Sequence, residues 1–311
     1  MATRYATAQP SSAWLVRWRM FAFPALATLC LFVDFIGISL GSISASLIFA
    51  IVILIAGIPH GSLDIEILAR HLGRSDALAK IKLTIGYAGC AGLMSLIWFY
   101  APPLALASFL LISILHFGLD WRGSAEPFFG MAAGWAIIAL PALSHPTAVT
   151  AIFTVLVGDR SGATVSALLA CSAVPASLIT LAFCRDAFTR GNQNAAIQVA
   201  TCLLAAIFLP PLASFALFFC VLHSPRHLAD ALAQSGPMSA LKKGAIMVAV
   251  VCLSLGIAVW IFTHGQPLTM NEGTVRATFI LLSILTLPHF ILEQFLSRKL
   301  PAPCFGSPSP F

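Results

Sequence analysis

Apolar windows about 20 residues long follow one another from about residue 20 to residue 296, with no polar stretch between them long enough for a separate soluble domain. About 20 mostly apolar residues are what a helix needs to cross a bilayer. Composition agrees: 59% of the 311 residues are hydrophobic and 9% charged, against roughly 25% charged in a soluble domain, and mean hydropathy is +0.95. The expected fold class is all-α, a polytopic transmembrane bundle forming one integral membrane domain over 20–296. A cytoplasmic segment at 1–19 precedes it, and a Pro- and Ser-rich disordered tail at 297–311 follows it.

Ten segments are expected, at about 20–38, 42–58, 82–101, 103–120, 128–144, 164–184, 195–209, 211–230, 244–263 and 275–296. The positive-inside rule tests that count, because Lys and Arg should collect in the loops on one face. With the N-terminus cytoplasmic, all of the 17 cations except Arg160 and Arg276 fall inside. A wrong segment count scrambles this alternation, so both termini are placed in the cytoplasm. The formal charge of +6 is then explained by inner loops beside anionic lipid and gives no reason to expect a nucleic-acid partner. The first apolar run is long and without a clear cleavage site, so it is read as an anchor in a multi-pass protein of the cell (inner) membrane. Eight cysteines form no CxxC pair and lie mostly within spans, which points to neither a disulfide framework nor a thiolate metal site.

The informative polar residues stand at helix ends. Even-numbered segments run toward the cytoplasm. His60 closes the second in GIPHGSLD, His116 lies near the end of the fourth in ILHFGLDW, His223 and His227 end the eighth in LHSPRHLAD, and His289 is in the last third of the tenth in LPHFILEQF. Five of the eight histidines thus share a depth on four helices of one direction. Taken singly, each is more readily a residue satisfying a helix dipole; as a set they form a constellation. Each also has a polar residue three or four positions on: Asp64 after His60, Asp120 after His116, His227 after His223, Asp230 after His227 and Glu293 after His289. Positions i and i+3 or i+4 share a helix face, and a metal-bound imidazole normally gives its other N–H to a carboxylate or carbonyl. Gly61, Gly118 and Pro225 interrupt that geometry.

His71 in a basic loop, and His145 and His264 in outer loops, are read as structural or surface residues. Asp34, an intramembrane carboxylate nearer the outside, is read as structural. Gly and Pro in GIPHG, PALSHP and FLPPLA mark broken helix ends. No Gly-rich phosphate loop, HExxH or GxSxG motif is present, so nucleotide-driven transport and serine hydrolysis have no support. Ionisable groups in a membrane by default indicate a functional site. Imidazoles without thiolate suit iron, copper, zinc or nickel. Zinc hydrolysis would need a general base, for which only Glu293 and Glu66 stand near. Oxygen chemistry on an apolar substrate is the better physical reading, since both reactants partition into lipid.

GIPHGSLD, LHFGLDW, LHSPRHLAD and LPHFILEQF, in this order and over about residues 50–296, resemble the Brp/Blh family of bacterial and archaeal membrane proteins, the beta-carotene 15,15'-dioxygenases. The resemblance implies non-haem Fe(2+), with O2 and beta-carotene as substrates and two all-trans-retinal as products, passed to a microbial rhodopsin. It implies iron ligation by His60, His116, His223 and His227, with His289 outside that set as a pocket group or a residue supporting the ligands. Asp64, Asp120, Asp230 and Glu293 then orient imidazoles. Two other readings stay open: a non-catalytic carotenoid- or retinal-binding protein assisting rhodopsin maturation, and a bis-histidine haem b protein. A membrane desaturase is disfavoured because only His223/His227 supplies an HxxxH box.

Overall fold

The structure is a computed structural model that describes residues 21–74, 76–265 and 268–299. Among the described residues it is helical throughout and contains no strand. The helices are α1 (Phe23–Phe35), α2 (Ile43–Gly57), α3 (Asp64–His71), α4 (Ala77–Tyr100), α5 (Pro102–Leu119), α6 (Pro127–Ser144), α7 (Pro146–Val157), α8 (Asp159–Thr189), α9 (Gln193–Phe208), α10 (Pro211–Leu217), α11 (Ser224–Gln234), α12 (Ala240–His264) and α13 (Met270–Lys299). A 3-10 turn, Ile58–Gly61, continues α2, and a π-helical turn, Phe218–His223, joins α10 to α11.

Each of the ten expected segments is helical over most of its described length, and among the described residues eight spans are long and apolar enough to cross a membrane. α1, with 13 residues, and α9, with 16, are short apolar helices. Two helices were not expected: α3, eight residues in a stretch read as a basic loop, and α7. α7 was read as outer loop because its 12 residues fall well short of a bilayer crossing. It starts on Pro146 and ends on Gly158, whose φ of 84° turns the chain directly into α8. A Cβ on Gly162 would stand 2.6 Å from the Thr154 amide nitrogen, so glycine is what lets α7 and α8 lie this close. The segment expected at 1–19, including Arg4, Arg17 and Arg19, lies outside the described residues, as do residues 300–311 with Cys304. α13 carries three residues into the range expected as tail.

Packing follows side-chain size. Lipid tails are as apolar as leucine, so helices in a membrane associate mainly through close van der Waals contact, which small residues permit. α6 buries Gly130, Ala132, Ala133, Gly134, Ala136, Ala139 and Ala142. A Cβ on Gly134 would sit 2.4 Å from the Gly118 nitrogen and 2.6 Å from the Ile114 oxygen, which fixes how tightly α5 meets α6. α4 and α12 lie at the rim, exposing Ile85, Leu96, Phe99, Leu253, Val259 and Trp260 to lipid. Hydrogen bonds Trp135 Nε1 to Ser172 Oγ (3.0 Å) and the Glu126 amide to Asp186 Oδ2 (3.2 Å) align α6 antiparallel to α8. Asp34 has a structural part: its Oδ1 accepts the Leu40 amide at 3.1 Å, closing the turn after α1. The seven described cysteines are free thiols.

Candidate metal centre

Each of the five clustered histidines is displayed by a local departure from plain helix or by a helix end. Pro59 opens the 3-10 turn that follows α2, and His60 sits inside it with Nδ1 hydrogen-bonded to the Gly57 carbonyl. His116 is in the last turn of α5. The FFCVLH turn has π geometry, and the Ser224 amide donates to the Phe219 carbonyl, five residues back. Proline in a helix interior removes a hydrogen bond and crowds the carbonyl four residues earlier, whereas in a first turn it costs nothing. The wide turn places Pro225 in the first turn of a new helix, α11. This is how His223 and His227 share a face despite the proline between them. Such π turns recur at functional sites. His289 follows Pro288 inside α13.

The five imidazoles converge. Ring centroids are 4.3 Å apart for His223 and His227, 4.8 Å for His116 and His223, 5.1 Å for His116 and His227, 4.9 Å for His60 and His289, and 5.2 Å for His116 and His289. Nitrogens of His60, His116 and His289 lie within 4.8 Å of one another, and so do those of His116, His223 and His227. His289, expected beside the set, stands inside it. His71 and His264 are exposed, and His145 lies at the α6–α7 junction.

The carboxylates pair with imidazoles, though across helices. The shared-face spacing matches His60 with Asp64, His116 with Asp120 and His289 with Glu293. In the structure Asp64 Oδ2 accepts from His289 Nδ1 (2.8 Å), Glu293 Oε2 pairs with His116 Nδ1 (2.7 Å), and Asp120 takes His223 Nδ1 (2.8 Å) and His227 Nε2 (2.7 Å). The reason is axial. A residue one turn on is displaced about 5.4 Å along the helix, which puts it level with an imidazole on a neighbour instead of its own. Asp230, half-buried, lies one turn beyond His227 on α11.

Four residues around these pairs escaped sequence reasoning. The Tyr87 hydroxyl donates to Asp64 Oδ2 at 3.1 Å. Arg226, expected only to mark a membrane boundary, donates from a terminal guanidinium nitrogen to the Asp120 backbone carbonyl. Its guanidinium carbon lies 5.4 Å from the Trp121 ring centroid, a cation–π distance. Another guanidinium nitrogen is 3.4 Å from Gln198 Oε1. Only the placement of Tyr87 in an otherwise apolar span hinted at any of this. Gly61, expected to disturb the geometry, makes room for it: a Cβ there would meet His289 Nδ1 at 3.3 Å and Asp64 Oδ2 at 3.4 Å.

The cluster is buried and only partly satisfied by hydrogen bonds, and its nitrogens are grouped so that they could hold a metal ion. His116 and His223 are 2% and 0% exposed, and the Nε2 atoms of His116, His223 and His289 are buried with no hydrogen-bond partner. Burying a polar atom unpaired costs about 1–3 kcal/mol. Three such atoms in one cluster, each on a ring whose Nδ1 already serves a carboxylate, are the arrangement expected around a divalent metal. Phe219 stacks on His223 with centroids 5.4 Å apart, and Phe117 and Phe218 pack edgewise and tilted against it at 4.8 and 5.9 Å. Beyond this wall lies an apolar cavity of about 80 Å³, lined among others by Ser113, Phe215, Phe218 and Phe279 and walled by Ile152 and Phe153 of α7.

A family model described as beta-carotene 15,15'-dioxygenase matches residues 51–297. The chain belongs to this family. The matched span contains all five imidazoles and the carboxylates bonded to them. A beta-carotene 15,15'-dioxygenase from an uncultured marine bacterium, 66A03, is 30% identical over 254 residues, covering 78% of this chain and 90% of that one. A probable beta-carotene 15,15'-dioxygenase, Blh, from Halobacterium salinarum is 26% identical over 283 residues, covering 78% and 81%. No solved structure matches the chain.

Proposed function

We propose that this multi-pass protein of the cell's inner membrane cleaves the central 15,15' double bond of beta-carotene with O2 and Fe(2+), yielding two all-trans-retinal for a microbial rhodopsin. The observation that carries the reading is the buried imidazole cluster with three unpartnered ring nitrogens inside the span shared with the family. The reaction balances without a further reductant: one C=C bond breaks, and each new aldehyde takes one oxygen atom of O2. Iron held by His60, His116, His223 and His227 would supply activation of O2 at the point where the polyene passes. The chain's own residues do the rest. Asp120 holds the rings of His223 and His227 and Glu293 that of His116, which orients the rings and leaves Nε2 of His116 and of His223 bare. The phenylalanine wall and the apolar cavity exclude water and favour a hydrocarbon. The cavity is far smaller than a C40 polyene, so Phe215 and Phe218 must swing aside to admit it. Positioning one double bond among many is the selectivity problem, and aromatic side chains that close on the polyene are suited to it.

Haem b is disfavoured by crowding: five imidazoles lie together with centroids 4.3–6.2 Å apart, so a porphyrin between any two of them would meet the others. The test is expression in cells that make beta-carotene. Wild-type protein should bleach the orange colour and produce retinal, whereas His60→Ala, His116→Ala, His223→Ala and His227→Ala should do neither and His71→Ala should behave as wild type. Retention of colour with carotenoid bound to the purified wild-type protein would favour the non-catalytic alternative.

A further inference from the structure

We propose that His289 is a fifth metal-binding imidazole and that Tyr87, acting through Asp64, is the positioning residue that holds it. This rests on the metal-dependent reading above and extends it. His289 repeats, bond for bond, the pattern of His116 and His223: Nδ1 is taken by a carboxylate, at 2.8 Å from Asp64 Oδ2, while Nε2 is buried and has no partner. Its ring is 4.9 Å from that of His60 and 5.2 Å from that of His116. A residue that merely lined a pocket would have no reason to keep a buried nitrogen unsatisfied on a ring set against three other imidazoles.

The anchor is equally specific. Asp64 Oδ2 receives two donors, His289 Nδ1 from α13 and the Tyr87 hydroxyl from α4 at 3.1 Å. Gly61, whose Cβ would crowd both His289 and Asp64, supplies the space in which the two meet. Tyr87 has its hydrogen bond with the carboxylate and none with an imidazole among those described, so it acts at one remove.

The two histidine trios describe one ion. His116 belongs to both, and with Nδ1 committed to Glu293 it has a single nitrogen left to give. One lone pair binds one metal. Five imidazoles on that metal leave a six-coordinate shell with one position for a small ligand, where four would leave two.

Cobalt(II) binding to the metal-free protein in detergent tests this with a readout independent of turnover. Wild-type protein should take one cobalt per chain. His289→Ala should still take one, with affinity at least tenfold weaker and stronger visible ligand-field absorption, the mark of a lower coordination number. Tyr87→Phe, which loses only a hydroxyl, should keep the wild-type melting temperature and weaken cobalt about tenfold, in line with the effect of removing a ligand's hydrogen-bond support. If His289→Ala does not fold, Tyr87→Phe decides the matter. Unchanged affinity and spectrum in both variants, with binding lost in His60→Ala and His116→Ala, would overturn the fifth ligand and leave the four-histidine reading standing. Absence of cobalt binding by the wild type would overturn both.

Discussion

Asp120 is the residue on which most of the cluster leans. Both of its carboxylate oxygens accept from imidazoles, its own backbone carbonyl accepts from Arg226, and its side chain is 1% exposed. Asp120→Ala should therefore free two imidazoles at once. Metal affinity is expected to fall about 10–100-fold, the usual cost of losing such support, with both rings becoming mobile; metal titration and imidazole NMR line widths check this. The importance of Asp120 was legible in the sequence, but the identity of its partners was not. Helical spacing tells which residues face the same way, and so it brought His116 and Asp120 to one side of α5. It carries no information about the height at which a neighbouring helix presents its own imidazole, and that height sets each pairing seen here. Tyr87 and Arg226 were opaque for a related reason: neither belongs to a local pattern with a histidine, and both reach the site from another helix.

At the scale of elements, hydropathy located the helices well and their lengths less well. Long apolar runs announce themselves because nothing but helix is tolerated in lipid. α7 was invisible because short apolar runs have no such guarantee, and the breaks in α2 and α10 were visible only as Pro and Gly, without the 3-10 and π geometry that makes them useful. Close helix approach can be tested by adding single methyl groups. Gly134→Ala puts a Cβ within 2.6 Å of α5 backbone atoms, which cannot rotate away. It should destabilise the protein by about 1–3 kcal/mol or more and displace the end of α5 that carries His116, visible as a lowered melting temperature and weakened metal binding. Gly86→Ala, with nothing within 4 Å on α4, should be neutral or stabilising by up to about 1 kcal/mol. Equal losses for the two would mean that α5 and α6 are less tightly apposed than described.

For the whole molecule, orientation is the property with the clearest test. His116 lies near the end of α5 that precedes Arg122, and His223 and His227 lie where α10 gives way to α11, ahead of Lys242 in the first turn of α12; the positive-inside rule predicts that these ends face the cytoplasm. In a cysteine-free background, Ser39→Cys and Arg160→Cys should react with a membrane-impermeant maleimide in intact cells. Arg122→Cys and Gln234→Cys should react only after lysis. The opposite pattern would invert the protein, and a mixed pattern would break the count of spans.

The crossed carboxylate pairs also bear on how the protein is made. α13 is the last of the described helices, and it brings both His289 and Glu293. Until it enters the bundle, His116 lacks its acid, Asp64 lacks its imidazole and one histidine trio is incomplete. A chain stalled before residue 270 therefore holds the first four imidazoles without the arrangement that tunes them. The carboxylate–imidazole pairing of His116 and of Asp64 is thus completed only when α13 joins the bundle. The side chains that complete the cluster enter it more than 200 residues after His60, the first of its imidazoles, has been translated.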